Sequence, residues 1–540
     1  MTHSQSSMAS FTATYLPYID TGAFAPVVTD YLAGKPSLKE FYRYNANLDG
    51  IKAAIEARKQ YPFNRALLVA ELTRQYSAIT TTEKVKANIR ALSNENTFTI
   101  CTAHQPNIFT GHLYFIYKIV HAIRLAEELK TQLPVYDFVP VYYMGSEDAD
   151  LEELGEVNIN GKKYTWNTSQ KGAVGRMIID KPFLQLMEEI SGQLSVEPFG
   201  NDILSVIKAC YIAGSTIEQA TLLLVNRLFS EYGLLVLLPD HPALKAVFHE
   251  VNKKELEERF SQPLVAATIA RFPAEYKVQA AGRAINLFYL LGDKRERIEA
   301  GPNGFTIANT NLVFSGEEMS EELENHPERF SPNVILRPVF QEMVLPNVAF
   351  IGGGGELAYW LELQKVFEAV QVPYPVLILR NSFTIIPGRA MELMHKLQLS
   401  VPDIFVPLKE LQERTVKKES DHTLSLEREI TALDGLYATI QKAATGVDQS
   451  LFRHAEALRV QALKRLEELE KKMLKAEKKK FAVQLQQLQK LKERLFPGNT
   501  LQERVDNLLP YYAQWGPAFI RAIYEHSKGL QMEFCVLSER

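Results

Sequence analysis

The sequence predicts an α/β protein with a parallel-sheet core and a long α-helical arm, and three observations carry that expectation. A β-branched run from Thr97 to Thr102 leads through a polar loop into a helically spaced segment, Leu113 to Leu129, and then into a second apolar run, Pro134 to Met144. The same alternation resumes at Val334 to Leu336, Val348 to Ile351, a helix from Glu356 to Val370 and a strand from Pro375 to Leu379. From about Leu408 to Leu495 the composition shifts to Glu, Lys, Gln, Leu and Ala. A strand, a crossover helix and a second strand make a parallel pair, which sets loops at the carboxyl ends of the strands where ligands bind.

At 540 residues the chain exceeds what one hydrophobic core fills, and 46% hydrophobic with 23% charged residues is an ordinary globular balance. A net charge of -4 offers no positive field for nucleic acid or anionic lipid. Met1 to Tyr15 lacks the basic and apolar runs of a secretory leader, and Thr221 to Pro239, the most apolar long stretch, is broken by Asn226, Arg227, Ser230 and Glu231. Three scattered cysteines, Cys101, Cys210 and Cys535, form no disulfide framework. A cytoplasmic protein without membrane spans is expected.

Element by element, residues 1–95 read as a helical region and 96–170 as the first half of the core. Residues 171–300 read as mostly helical insertions with no clear strand until Ile285 to Leu291, 301–405 as the second half of the core, 406–497 as an antiparallel coiled-coil arm and 498–540 as a return to the core. In the arm two long helices should fold back at Gly446 and Asp448. Leu466, Leu469, Met473 and Ala476 fit one seam, and Leu474, Phe481, Leu488 and Leu495 recur in a shifted register. A free apolar stripe on such an arm predicts a homodimer.

Four segments carry the chemistry. In the first, His104, Gln105, Asn107, Gly111 and His112 stand between strand and helix, where unpaired backbone donors would hold an anionic group or, alternatively, merely cap the helix. Cys101, His104, His112 and His121 match no standard zinc spacing. The second crowds Glu147, Asp148 and Asp150 after the next strand, giving a general base, a seat for an amine or Mg²⁺, or simply an acidic helix start.

The third runs from Arg337 through Gln341 and Glu342 to Gly353, Gly354, Gly355, Glu356, Tyr359 and Trp360. Its glycines let phosphate or carboxylate approach the backbone, and Arg337 adds a two-pronged donor. The dinucleotide fingerprint there is weak, because the next strand ends in Arg380 and Asn381 rather than an acid. The fourth, Pro497 to Arg504, includes Gln502 and closes the arm, with Thr500 and Glu503 spaced as a capping box.

Together these segments, from Thr102 to Arg504, resemble the bacillithiol-biosynthesis cysteine-adding family, BshC. The specific block is Leu336-Arg337-Pro338 with Gln341-Glu342, then Ala349-Phe350-Ile351-Gly352-Gly353, Glu356 and Tyr359-Trp360, followed by Leu501-Gln502-Glu503-Arg504. The chain departs from the family pattern at Ala103-His104, where a TGQQ-like string is common, and at Ala149, where a histidine often stands. No role for that histidine is carried over.

The resemblance implies a Rossmann-like core similar to class I nucleotidyltransferases, a coiled-coil dimerisation domain, and amide coupling of L-cysteine to glucosaminyl malate. Activation of the cysteine carboxylate implies ATP or another nucleotide. On that reading His104 and His112 act as a HIGH-like pair, and Asp148 or Glu147 receives an ammonium or deprotonates the attacking amine. Arg337 and the glycine turn hold malate carboxylates or phosphate. Gln105, Asn107, Gly111, Asp150, Gln341, Glu342, Glu356, Tyr359, Trp360, Asn381, Gln502 and Arg504 complete the substrate site. A noncatalytic dimeric scaffold and an NADP-dependent oxidoreductase are the competing readings.

Overall fold

The computed structural model describes residues 10–301 and 304–540, so the leader-free reading of Met1 to Tyr15 falls largely outside the described residues. Two compact units emerge, one of residues up to Ile385 with Thr500–Arg540, the other Ile386–Asn499.

The first unit is built on five parallel strands: β1 Thr97–His104, β2 Asp137–Met144, β3 Leu235–Leu237, β4 Asn347–Gly352 and β5 Val376–Leu379. Their spatial order is β5-β4-β1-β2-β3, which read from the other edge is the 3-2-1-4-5 order of a doubly wound sheet. Nearly every residue of β1, β2, β4 and β5 is buried, as expected when both faces are covered. Ile51, Ala54 and Ile55 of the helix Leu48–Lys59 and Ala122, Leu125 and Leu129 of α1, Leu113–Gln132, share a core cluster with Phe98, Ile100, Ile351 and Ile378 of the sheet.

Several expectations are corrected. The helical N-terminal region opens on a strand, Phe11–Leu16, because Phe534–Glu539 offers it an antiparallel edge. The insertion 171–300 contains β3, too short for its periodicity to be read; the run from Ile285 to Leu291 does hold a strand, Leu287–Leu291, which opens an antiparallel five-stranded sheet with Lys294–Gly301, Gly304–Ile307, Val313–Phe314 and Phe330–Pro332. Val334 to Leu336 is a turn rather than a strand, since the Asn333 side chain accepts from the Ile335 amide at 2.9 Å and Pro338 opens α2, Arg337–Val344. Glu356 to Val370 is two short helices, α3 Gly354–Trp360 and Gln364–Ala369. Glu503 forms no capping box with Thr500, since Arg380 takes its carboxylate at 2.7 Å.

The second unit contains α4 Leu408–Glu419, α5 Glu427–Val447, α6 Leu451–Lys478 and α7 Ala482–Leu495, so the expected pair of long helices is four. The fold-back falls at Asp448, whose carboxylate accepts from the Ser450 amide at 2.7 Å. Asp434 pairs with Arg459 and Gln441 with Glu456, so residue numbers fall on α5 as they rise on α6. The seam changes where Lys479 to Phe481 interrupts the helix: Leu488 and Leu495 are buried, whereas Leu469 is 47% exposed. Among the described residues no helix is long and apolar enough to cross a membrane, and all three cysteines are free and buried.

His121 on α1 shows how the core fixes protonation. Its Nδ1 accepts from the Asn381 amide at 3.1 Å, so its Nε2 donates to the Gly529 carbonyl at 2.7 Å. Burial lowers its pKa to about 4, so the folded chain resists a proton that the unfolded chain takes up near 6.5. This contribution is complete above the unfolded value and lost as the pH falls toward 4, up to about 3 kcal/mol in all. Melting temperature is therefore expected to drop more steeply between pH 6.5 and 5 in the native protein than in His121→Asn. Parallel curves would refute the assignment.

Candidate functional site

A cavity of about 650 Å³ lies over the carboxyl edge of the sheet and takes residues from the ends of all five strands: His104 and Gln105, Glu147 and Asp148, Pro239, the glycines Gly353 to Gly355, and Arg380. Strand order reverses between β1 and β4, which is where a doubly wound sheet opens a crevice.

On the β4 side the chain enters α3 through Gly352 to Gly355, and a Cβ on Gly354 would lie 3.0 Å from the Val28 side chain. The Gly353 amide donates to Glu356 Oε2 at 2.8 Å, so that donor is already occupied. The same carboxylate pairs with Lys118 of α1, whose ammonium also donates to the Ala103 carbonyl at 3.0 Å. Burial lowers the Lys118 pKa against the pull of Glu356. Arg337 donates to Tyr359 at 2.8 Å and Gln341 at 3.0 Å, and Arg380 pairs with buried Glu503. Arg504 also lines this side. Side-chain cations, more than free amides, face the cavity on this side.

His104 ends β1, and burial, then the positive charge of Lys118, holds its pKa well below the ordinary value. It is a neutral imidazole, and its buried Nε2 has no partner among the described residues. His112 precedes α1, and burial lowers its pKa too; the Tyr114 ring stands against both imidazoles, with centroids 5.4 and 5.5 Å away. Burial favours the neutral form of both imidazoles, and the cations on this side, Lys118 and Arg380, are each paired with a carboxylate.

On the β2 side, Glu147 is buried against Lys245, which also lies 3.4 Å from Asp240, itself clamped by Arg176 at 2.6 and 2.7 Å. Burial raises the Glu147 pKa while Lys245 opposes it. With its charge already matched, Glu147 is a poor seat for a second ammonium. Asp148 is only half-buried, accepting from Gln105 at 3.1 Å and from the Asp150 amide at 3.2 Å. It is the more accessible of the two carboxylates and lines the cavity.

Of the residues named from sequence, the cavity brings together His104, Gln105, Glu147, Asp148, Arg337, Gly353, Gly354, Gly355, Glu356, Tyr359 and Arg504. The others stand apart from it: His112, half-buried at the start of α1, does not line the cavity, Asp150 is exposed, and the rest are packed in the scaffold. Gly111, at φ 60°, lets the loop close on Asn107, and Asp150 caps a short helix through the Glu153 amide. Gln341 and Glu342 belong to a buried network with Arg58, Trp360 stacks on Phe350, Asn381 accepts from Ser527 and the Lys528 amide, and Gln502 bridges both backbone groups of Ile385. Cys101 is sealed in β1 and His121 is engaged as described, so neither joins His104 and His112 as a metal ligand.

Sequence reasoning missed Lys118, Arg283, Arg295 and Arg380 among the lining residues, and Lys245 behind Glu147. Lys118 had a signal: it is the one cation in the buried run Phe115 to Ile123.

A 3-2-1-4-5 parallel sheet with a cavity lined by charged residues at its switch point defines a Rossmann-like α/β protein. Residues 12–381 match the family described as Bacillithiol biosynthesis BshC, N-terminal Rossmann-like domain, and residues 383–539 match its C-terminal coiled-coil domain, so the chain belongs to the BshC family. Relatives that carry the cysteine ligase BshC name include those of Flavobacterium johnsoniae, 38% identical over 97% of this chain and 99% of its own, and Christiangramia forsetii, 37% identical over 97% and 98%. A third, from Flavobacterium psychrophilum, is 37% identical over 97% and 98%.

Proposed function

We propose that this protein joins L-cysteine through an amide bond to the amine of glucosaminyl malate, forming bacillithiol, with the cysteine carboxylate activated by a nucleotide. The observation that carries this reading is the division of the cavity. Lys118, Arg337 and Arg380 gather beside the glycine turn, while Asp148 stands two strand spacings away, about 10 Å. The names of the relatives support a ligase, and neither the scaffold nor the oxidoreductase reading has such support.

Joining a free carboxylate to an ammonium is uphill in water. ATP or another nucleotide, when bound, supplies the leaving group that makes the carboxylate reactive. The cations beside the glycine turn fit a phosphate chain and hold the negative charge that develops there. Neutral His104 donates a hydrogen bond to the same oxygens. Asp148 accepts the proton from the sugar amine, whose lone pair forms the new C–N bond as the C–O bond to the leaving group breaks. Glu147 and Lys245 keep that edge rigid.

The test is to incubate the protein with cysteine, glucosaminyl malate and Mg-ATP, omitting each in turn, and to detect the coupled thiol by mass spectrometry. Product that requires all three is expected; no product despite tight glucosaminyl malate binding would overturn the reading.

The reading includes a cytoplasmic homodimer. Leu436 and Ile440 on α5, and Phe452 and Val460 on α6, are 43–55% exposed, each pair on one face of its helix, apolar surface that a second arm would cover. Light scattering at micromolar concentration is expected to give twice the chain mass of 61.2 kDa, and a monomer would refute the pairing.

A further inference from the structure

The cavity has a third wall that neither the sheet nor the glycine turn provides. It comes from the antiparallel sheet: Phe288 of Leu287–Leu291 and Arg295 of Lys294–Gly301, with Arg283 on the preceding segment. The Arg295 guanidinium lies 4.0 Å from the Phe288 ring centroid and donates through Nε to the Ser331 hydroxyl at 3.1 Å and through Nη2 to the Pro332 carbonyl at 3.4 Å. Those partners are neutral. No carboxylate among the described residues comes within the 4.0 Å of an ion pair with it, whereas Lys118 and Arg380 each have one.

The nearest acids form no ion pair with it. Glu147, Asp148 and Asp240 all act on Arg295 electrostatically, but Glu147 is paired with Lys245, Asp240 with Arg176 and Lys245, and half-buried Asp148, which accepts from neutral Gln105, lies beyond 4.0 Å and faces the cavity. A partly buried guanidinium without its own counter-ion, stacked on an aromatic ring and facing a cavity, is arranged to receive an anion.

Resting on the ligase reading above, we propose that Arg295, assisted by Arg283, is the specificity subsite that takes the malyl carboxylates of glucosaminyl malate while the sugar amine faces Asp148. The pairing of a cation and an acid on one side of the cavity matches a molecule that carries an amine and carboxylates only a few bonds apart. Cysteine carries both as well, but its carboxylate is the group that reacts, and it has to lie among the cations beside the glycine turn. The malyl group thus occupies the antiparallel-sheet side, and Arg337 is left to the activating phosphate.

Calorimetric titration of the full-length protein tests this. Arg295→Gln is expected to weaken glucosaminyl malate about tenfold to a hundredfold, the loss of one charge-assisted contact, with ATP and cysteine affinities unchanged. The preference for glucosaminyl malate over methyl glucosaminide, which has no malyl group, falls by the same factor. Arg283→Gln, on an exposed residue whose loss leaves the core intact, should weaken glucosaminyl malate in the same direction. Unchanged glucosaminyl malate affinity in both variants, a loss that falls on ATP or cysteine instead, or a native protein that does not bind glucosaminyl malate would overturn the subsite. A native protein that binds glucosaminyl malate through Arg295 yet forms no coupled thiol would overturn the ligase reading and leave the subsite standing.

Discussion

Lys118→Met is expected to lower kcat/KM for coupling by on the order of a hundredfold to a thousandfold, the cost of removing a preorganised charge from a water-poor site. Lys118 sits early in α1, so its side chain leans back toward the carboxyl end of β1, where the ammonium meets the Ala103 carbonyl and Glu356. It therefore ties β1, α1 and the start of α3 together while presenting charge to the cavity. Methionine matches the stem in length and apolar character but supplies neither hydrogen bond nor charge. Arginine restores the charge and not the fit, because a planar fork needs more room than the buried ammonium has. Glu356→Gln should cost less, since its amide oxygen can still accept from the Gly353 amide. Initial rates of thiol formation, read beside melting temperatures, check the prediction; Lys118→Met within threefold of the native rate would remove Lys118 from the machinery.

How much of this was legible in the sequence depends on whether the signal was local. The runs Thr97 to Thr102 and Val348 to Ile351 alternate with helical segments, and they became adjacent strands β1 and β4 with the switch point between them. The glycines before Glu356 and the acids after Met144 were visible because strand ends bring them to one edge. Arg295, in contrast, sits in the string Lys294-Arg295-Glu296-Arg297, which reads as a solvated charge run; its place at the cavity follows from the pairing of Phe288 with Arg297 and of Ser331 with Phe288, contacts no local pattern encodes. The opposite error arises in the block from Leu336 to Trp360. Arg337 and Tyr359 line the cavity, yet Glu342 and Trp360 in the same block pack the core. A motif alone does not tell the two apart, because packing constrains a residue as tightly as chemistry does.

Glu342 offers a way to separate those two causes. Arg58→Met is expected to destabilise the first unit by about 3–5 kcal/mol, because it strands a carboxylate with no exposed side-chain surface. Arg58 donates to the Glu342 carboxylate and carbonyl at 2.7 Å each, to the Asn347 carbonyl at 2.9 Å and to the Pro373 carbonyl at 3.1 Å. One guanidinium thus joins the helix Leu48–Lys59, α2, the start of β4 and the approach to β5. Glu342 in turn accepts from Gln341 at 2.9 Å and Asn347 at 2.8 Å. Burial raises the Glu342 pKa and lowers that of Arg58, so desolvation outweighs their attraction, and the intact pair contributes specificity of packing more than net stability. Removing either partner alone is costly, whereas Arg58→Met with Glu342→Met should lose less than the sum of the single changes by about 1–3 kcal/mol, as measured in urea. Folded Arg58→Met protein, assayed well below its transition, should retain native coupling kinetics if Glu342 is scaffold. A raised KM for either substrate at full foldedness would instead return Glu342 to the site.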